Sequence, residues 1–494
     1  MHIKVFAVIL ILSLTQIGMA QSAFHRIYPS NTGKEIVCIS SMQLKDGAYV
    51  ALEMMVEVDQ NKNKSSDTII ITSYKPKGDI NWSKRIALPD SLKGYIPYLK
   101  ESVFRGSIIQ GNNDSIYYSI ATSAPGTPNK IIGAMDSGGV HGWMRSYTTE
   151  PGKADGNTTS HLLVNYNKTF FSGHIGGNAV ENDVAISRKN YQGNNIWSKL
   201  LSAKSSGGGN ISEQVTHLSV VSDTTILMTG IIDTNNVTSF LTVLDTFGNV
   251  KLSKRYTDVQ AISMTKAYSA VRLPDSTYMI GGLSVEINAQ FTPISKGFII
   301  KTTKTGDVAW GKKIVFDPKD ITKVHHLALV KDGNILISGI NENTQTLKSF
   351  YFVIKINPAG QTIWKKKYPR VDGIREINGN LFVTNDSGAA LIVNAAENGK
   401  INPSFIKIDN SGSSSCQEDI IEEIFTNNTY IANNLTWTSR DAGTSGTQTF
   451  KSSAHSYDVP VLSLTVRPFC PNEPIDWTFR VSTKGATFYE WSTG

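Results

Sequence analysis

A Gly-x-x-x-Trp unit recurs along this chain and limits its fold more than any other feature. It runs from Gly78 to Trp82, Gly139 to Trp143, Gly193 to Trp197, Gly306 to Trp310 and Gly360 to Trp364. A further copy carries leucine in place of tryptophan, from Gly248 to Leu252. The glycines are spaced by 54 to 61 residues, and five of the chain's 8 tryptophans occupy this one position. A fixed period of this size signals stacked units that bury their apolar faces only against one another.

The content of one period follows from its local pattern. Before each glycine lies a run rich in β-branched and aromatic residues, such as Phe240-Leu241-Thr242-Val243-Leu244 and Phe350-Tyr351-Phe352-Val353-Ile354. The glycine and its polar neighbours supply a hairpin turn. After the tryptophan, polar and apolar residues alternate, as in Trp82-Ser83-Lys84-Arg85 and Trp364-Lys365-Lys366-Lys367. A third run opens on turn residues, as in Asp275-Ser276-Thr277-Tyr278-Met279, Asp332-Gly333-Asn334-Ile335-Leu336 and Asp386-Ser387-Gly388-Ala389. These aspartates read as turn formers rather than metal ligands. Several of the runs end in glycine, at Gly173, Gly230, Gly281 and Gly339. An apolar stretch upstream, such as Lys323-Val324-His325-His326-Leu327, leaves room for a fourth strand. Four strands per period predict an all-β chain built as a seven-bladed β-propeller over residues 21–416.

The chain ends predict how the ring closes. The last repeat runs through Phe405-Ile406-Lys407-Ile408 to Gly412, and Cys416 stands at the tryptophan position with no strand after it. Near the other end, Phe24-His25-Arg26-Ile27-Tyr28 is an orphan strand resembling Leu252-Ser253-Lys254-Arg255-Tyr256. Phe24, Ile27 and Tyr28 are therefore expected in the outer strand of the last blade, closing the ring and removing an exposed edge. The blade positions Trp82, Trp143, Trp197, Leu252, Trp310 and Trp364 are expected to be packing elements.

The flanking segments differ in kind. Residues 1–20 read as a secretory signal: His2 and Lys4, an apolar stretch from Val5 to Ile17, then Gly18-Met19-Ala20 before Gln21. No other stretch is long and apolar enough to suggest a membrane span. Export permits disulfides, but Cys38, Cys416 and Cys470 are odd in number and fit no zinc motif. Residues 417–470 are rich in Ser, Thr and Asn and read as a β linker. Residues 471–494 have room for two strands at most, too few to be stable alone.

Charge and chemistry narrow the function. The formal charge is +7, from lysines scattered along the chain. They read as guards on edge strands rather than a nucleic-acid surface, since no long basic run or aromatic platform accompanies them. Adjacent His325 and His326 would point to opposite faces of a strand. Glu422 with Glu423, or Glu53 with Glu57, are the acid pairs considered for glycosidase chemistry, and both read as surface acids. No catalytic, cofactor or metal residue is assigned. The expectation is a secreted or surface binding protein that takes a glycan or protein partner on one propeller face. The alternative is a polysaccharide hydrolase or lyase with acids in the funnel.

The Gly-x-x-x-Trp repeats resemble those of quinoprotein-type propellers, in which the tryptophan packs between blades. That likeness would imply a quinone-dependent dehydrogenase, but no adjacent cysteine pair or calcium-ligand cluster accompanies it here. A leader ending Met19-Ala20-Gln21, the repeats, and a tail Tyr489-Glu490-Trp491-Ser492-Thr493-Gly494 similar to the start of a PKD or Ig-like module together resemble large surface proteins of Bacteroidetes. The resemblance implies that residues 471–494 are the start of a truncated Ig-like or PKD-like module. It also implies display outside the cell, by type IX secretion in many such proteins.

Overall fold

The computed structural model describes residues 23–28, 35–58, 64–87, 106–121, 130–147, 161–177, 182–203, 211–233, 237–259, 264–287, 293–343, 345–346, 349–369, 380–397 and 400–414. It also describes the pieces 419–420, 424–441, 448–449 and 467–468. The proposed leader, Cys416, Cys470, Glu422, Glu423 and the tail after 468 lie outside these residues. All regular structure described is β-strand. No helix among the described residues is long and apolar enough to cross a membrane.

The building unit is a four-stranded antiparallel meander. Glu35–Gln43 pairs with Tyr49–Val58, which pairs with Lys64–Tyr74, which pairs with Ile80–Ala87. The first strand of each meander lies at the propeller axis and the fourth at the rim. Axial strands neighbour one another in a closed circle, Asn380–Val383 lying beside both Ile321–Leu329 and Glu35–Gln43. The core sits between successive meanders. Val50, Leu52, Ile69 and Ile71 of one, for example, pack with Ile116, Tyr118 and Ile131 of the next.

The expected division into seven blades is corrected by the hydrogen bonding, which among the described residues makes five sheets: one of 15 strands, one of 4 and three of 5. Repeat spacing treats every period as a separate sheet. Two single parallel pairs, Asn182 with Ser212 and Val237 with Met264, instead join the meanders of 161–203, 211–258 and 264–315 into the largest one. The result is a five-sheet propeller.

Phe24–Ile27 is the fourth strand beside Lys400–Ile408, with Phe24 opposite Lys407 and Ile27 opposite Ser404. Its side chains grip the first meander much as the tryptophans grip theirs. Trp197 donates from Nε1 to the Thr246 carbonyl at 3.2 Å, and Gly248 (φ 78°) lies flat against its ring, where a Cβ would come within 2.8 Å. Trp82, Trp143 and Trp364 likewise donate to the carbonyls of Ser137, Tyr191 and Asn410. The Trp310 ring lies against Gly360, while Leu252 stands beside Gly306 without a donor. A tyrosine four residues on reinforces several clasps, Tyr256 donating to the Gly306 carbonyl at 2.7 Å and Tyr368 to that of Gly412 at 2.7 Å. At the closure Phe24 covers Gly78, Tyr28 donates to the Gly78 carbonyl, and Arg26 pairs with Asp79.

Some of the lysines read from sequence as edge guards take part in these clasps. Lys254 pairs with Asp307 of the next meander at 2.8 Å, and Lys199 donates to Asn249 at 2.8 Å. The rim edges are covered instead by the described pieces 419–420, 424–441, 448–449 and 467–468. They run round the propeller in reverse order, adding antiparallel strands to the fourth strands. Asp419–Ile420 pairs with Thr362–Pro369, Ile424–Asn427 with Val308–Val315, and Tyr430–Asn434 with Val250–Asp258. Trp437–Asp441 then pairs with Asn195–Ala203, Gln448–Thr449 with His141–Tyr147, and Arg467–Pro468 with Phe24–Ile27.

Candidate functional site

The axis is the one place where strands from every sheet converge, so its lining decides what a central site can do. Four axial strands carry the same irregularity. The register shifts between Cys38 and Ser40, Val215 and His217, Ala267 and Ser269, and Val324 and His326. Each shift skips one residue of the strand register: Ile39, Thr216, Tyr268 and His325. A bulge of this kind re-aims the side chain it frees.

On two adjacent axial strands the bulged residues are Tyr268 and His325, and a lysine stands two positions before each. Burial alternates along Met264–Arg272, with Thr265, Ala267 and Ser269 buried between sheets and Lys266 and Tyr268 partly open on the other side. Lys323 and His325 occupy the corresponding positions of the next strand and are more enclosed. The Tyr268 and His325 rings meet edge to face with centroids 6.0 Å apart, and His326 lies 6.5 Å from His325. Strand-to-strand bonds hold this geometry. Thr216 Oγ1 donates to the Ala267 carbonyl at 2.8 Å, and the Leu327 amide donates to Ser269 Oγ at 3.1 Å. Lys266 and Tyr268 thus stand on one axial strand and Lys323 and His325 on the next, with the phenol–imidazole contact at the middle of both strands.

Glycines in the second strands make room for it. A Cβ on Gly282 would lie 1.9 Å from the Lys266 carbonyl, and one on Gly339 would lie 1.9 Å from the Lys323 carbonyl. Phe298 and Phe352 close the same positions from the third strand. Gly339→Ala is therefore expected to push the Lys323–His325 backbone off its register and cost about 1–3 kcal/mol. A lowered urea midpoint, together with a changed environment of the His325 ring in NMR, checks this.

In the first meander this glycine column holds Glu53, opposite Cys38. Its carboxyl is buried and accepts hydrogen bonds from Thr72 Oγ1 at 2.7 Å and Tyr74 OH at 2.9 Å. Burial pushes its pKa up to about 7 against those two bonds. It is walled in between sheets, so it does not face a second acid across the funnel. Two further acids are buried near the starts of axial strands. Glu213 accepts from the Ala203 amide at 2.6 Å, toward the rim strand of the preceding meander, and Asp320, just before Ile321–Leu329, accepts from Asn341 Nδ2 at 2.7 Å and Asn343 Nδ2 at 3.0 Å. Among the described residues no three His, Cys, Asp or Glu side chains gather to hold a metal ion. The Asx turns that the sequence suggests are present, with Asp332 Oδ1 accepting from the Asn334 amide at 3.0 Å. Cys38 is a free, buried thiol.

The axial patch escaped sequence reading because a bulge has no sequence signature. The repeated glycine opposite it was the available signal. Trp82, Trp143, Trp197, Leu252, Trp310, Trp364, Phe24 and Tyr28 all lie in the clasps between meanders and none at the axis. For Ile27 the structure gives the backbone pairing with Ser404.

No protein-family model and no curated protein matches the chain. Among solved structures it is similar to an α-L-arabinanase of Penicillium chrysogenum in complex with arabinobiose, at 12% identity over 79% of this chain and 97% of the other, with a TM-score of 0.39. It is also similar to a β-1,3-galactosidase of glycoside hydrolase family 43, at 11% identity over 78% and 94%, with a TM-score of 0.30. A third likeness is to a family 32 β-fructofuranosidase of Bombyx mori, at 11% identity over 84% and 94%, with a TM-score of 0.28. Likenesses this distant do not transfer an activity.

Proposed function

We propose that this protein engages an acidic polysaccharide at the axial mouth of the propeller. The observation that carries this reading is the placement of Lys266 with Tyr268 and Lys323 with His325 on neighbouring axial strands. Two ammonium groups suit the carboxylates or sulfates of such a chain, and charge-assisted hydrogen bonds are the strong ones. The phenol ring offers a sugar face an apolar surface and its hydroxyl a hydrogen bond. Residues 1–20 support export, so the work is placed outside the cell or on its outer surface. The likeness to Bacteroidetes surface proteins makes type IX secretion the proposed route.

A second reading, eliminative cleavage of the same polymer, is favoured by the contact between Tyr268 and His325. Elimination needs one group to take the proton beside the uronate carboxylate and one to give a proton to the leaving oxygen. A nearby ammonium group steadies the charge that develops on the carboxylate. Hydrolysis by paired acids gains no such support, since Glu53 is enclosed away from the axis.

The test is to titrate the full-length protein with matched acidic and neutral polysaccharides while following unsaturated uronate by ultraviolet absorbance. Lys266→Ala/Lys323→Ala is expected to weaken acidic-glycan binding by roughly tenfold or more per lysine and to reduce its salt dependence. Equal binding of neutral polymers, or an unaffected variant, would refute the reading. Absorbance growth abolished by Tyr268→Phe or His325→Gln would establish the cleaving form.

A further inference from the structure

The belt of residues 424–441 does more than cover edges, because two of its side chains enter sockets built into the ring. Gly311 leaves the rim of its meander bare, and Tyr430 fills the gap: a Cβ on Gly311 would lie 2.2 Å from the tyrosine ring. Phe298 backs the same ring, with centroids 5.6 Å apart. Two residues earlier, the Asn428 amide donates to the Gly311 carbonyl at 2.9 Å, and its Nδ2 donates to Asp258 Oδ1 at 2.8 Å. That carboxylate is fully buried, takes a second bond from Ser284 Oγ at 2.5 Å, and pairs with Lys313 at 3.0 Å. On the preceding meander, Trp437 donates from Nε1 to Ser253 Oγ at 2.8 Å and to Thr242 Oγ1 at 3.1 Å. Its ring stands edge-on to Phe240, with centroids 5.3 Å apart.

Between and around these anchors the belt is open. Thr426, Asn427, Thr429, Ile431, Asn433 and Asn434 are all exposed. The segment is thus held by edge pairing plus a few side chains in pockets, which is how sheets recognise extended peptides. Segments with so few buried groups open at lower free energy than the strands beneath them.

We propose that the rim spanning Val250–Asp258 and Val308–Val315 is a binding site for an extended peptide bearing Asn, Tyr and Trp at the spacing of 428, 430 and 437. The chain's own belt is its resident, exchangeable ligand. This assignment is independent of what occupies the axis.

A fluorescently labelled synthetic peptide of residues 424–441 tests it on the full-length protein by anisotropy. In Tyr430→Ala/Trp437→Ala the sockets are intact but the resident belt is weakened. That variant is expected to show faster amide exchange in 424–441, with axial strands still protected, and to bind the peptide roughly tenfold or more tighter than wild type does. Adding Gly311→Val, which fills the tyrosine socket, is expected to abolish that binding. Where the double variant loses protection in its axial strands, Asn428→Ala serves as the milder belt variant with the same expectations. The proposal is overturned if the belt stays protected without its anchors, if the freed rim ignores the peptide, or if the Gly311→Val protein binds it equally.

Discussion

Asp386→Ala is expected to lower the stability of the fold by roughly 3–5 kcal/mol, because it strands a buried cation. Lys407 is 0% exposed, and its Nζ lies 2.9 Å from Asp386 Oδ2, with the Ile408 carbonyl at 2.9 Å as its other partner. Burial alone would raise the Asp386 carboxyl. Bonds from Thr384 and Lys407, with the lysine charge, outweigh that and hold it below the usual carboxylate range. The same turn-aspartate to third-strand-lysine pair recurs twice with graded burial. Lys355 is 4% exposed and keeps Asn410 Oδ1 at 2.6 Å when its partner Asp332 is removed. Lys301 is 16% exposed and sits 3.4 Å from a half-exposed Asp275. Asp332→Ala should therefore cost about 1–3 kcal/mol and Asp275→Ala about 1 kcal/mol or less. Asp386→Leu/Lys407→Met should recover most of the loss, since neither charge is then buried alone. Urea midpoints at unchanged m-value read the series. Equal losses at all three aspartates would mean that the turn, rather than the buried cation, sets the cost.

The repeat was legible because each Gly-x-x-x-Trp unit encodes a turn and the clasp that grips the turn of the next unit. Gly248 supplies a positive φ and a bare surface, and Trp197 needs both. Phe24 and Tyr28 could be matched to Leu252 and Tyr256 for the same reason, and the structure sets them on equivalent glycines, Gly78 and Gly306. The sheet count was not legible. Whether meanders merge depends on single backbone pairs, such as Asn182 with Ser212, that carry no side-chain pattern. The belt was illegible for a related reason. Ile424–Asn427 and Tyr430–Asn434 are held mainly through the backbone and expose Thr426, Asn427, Asn433 and Asn434 with no two-residue alternation, so they read as a Ser/Thr/Asn-rich linker. At the axis the chemistry-bearing residues Lys266, Tyr268, Lys323 and His325 are separated by a whole repeat in sequence. Only the paired bulges bring them together.

His25→Gln and Glu53→Gln are expected to give the protein opposite pH slopes, because both groups are buried at the seam where the ring closes. His25 lies on the closing strand with Nε2 3.0 Å from Ser404 Oγ, and burial lowers its pKa to about 4. Glu53 lies on the second strand of the first meander, bonded by Thr72 and Tyr74, with Tyr28 and Cys38 also close by. Unfolded, Glu53 ionises near the ordinary carboxyl value of 4.5, whereas folded it keeps its proton to about 7. The native state therefore holds the extra proton in that window. Its stability falls as pH rises, by on the order of 3 kcal/mol in total. Unfolded, His25 takes up a proton below the ordinary imidazole value of 6.5, whereas folded it stays neutral to about 4, so its contribution falls as pH drops. In the wild type these slopes oppose each other between about pH 4.5 and 6.5 and nearly cancel. His25→Gln leaves Glu53 alone, and stability should then decline with rising pH by on the order of 1 kcal/mol per unit across that window. Glu53→Gln leaves His25 alone, and stability should climb by a similar amount per unit. Urea midpoints at pH 5 and 6.5 separate the cases. Slopes of the same sign in both variants would show that the seam does not hold these two groups in opposed, buried protonation states.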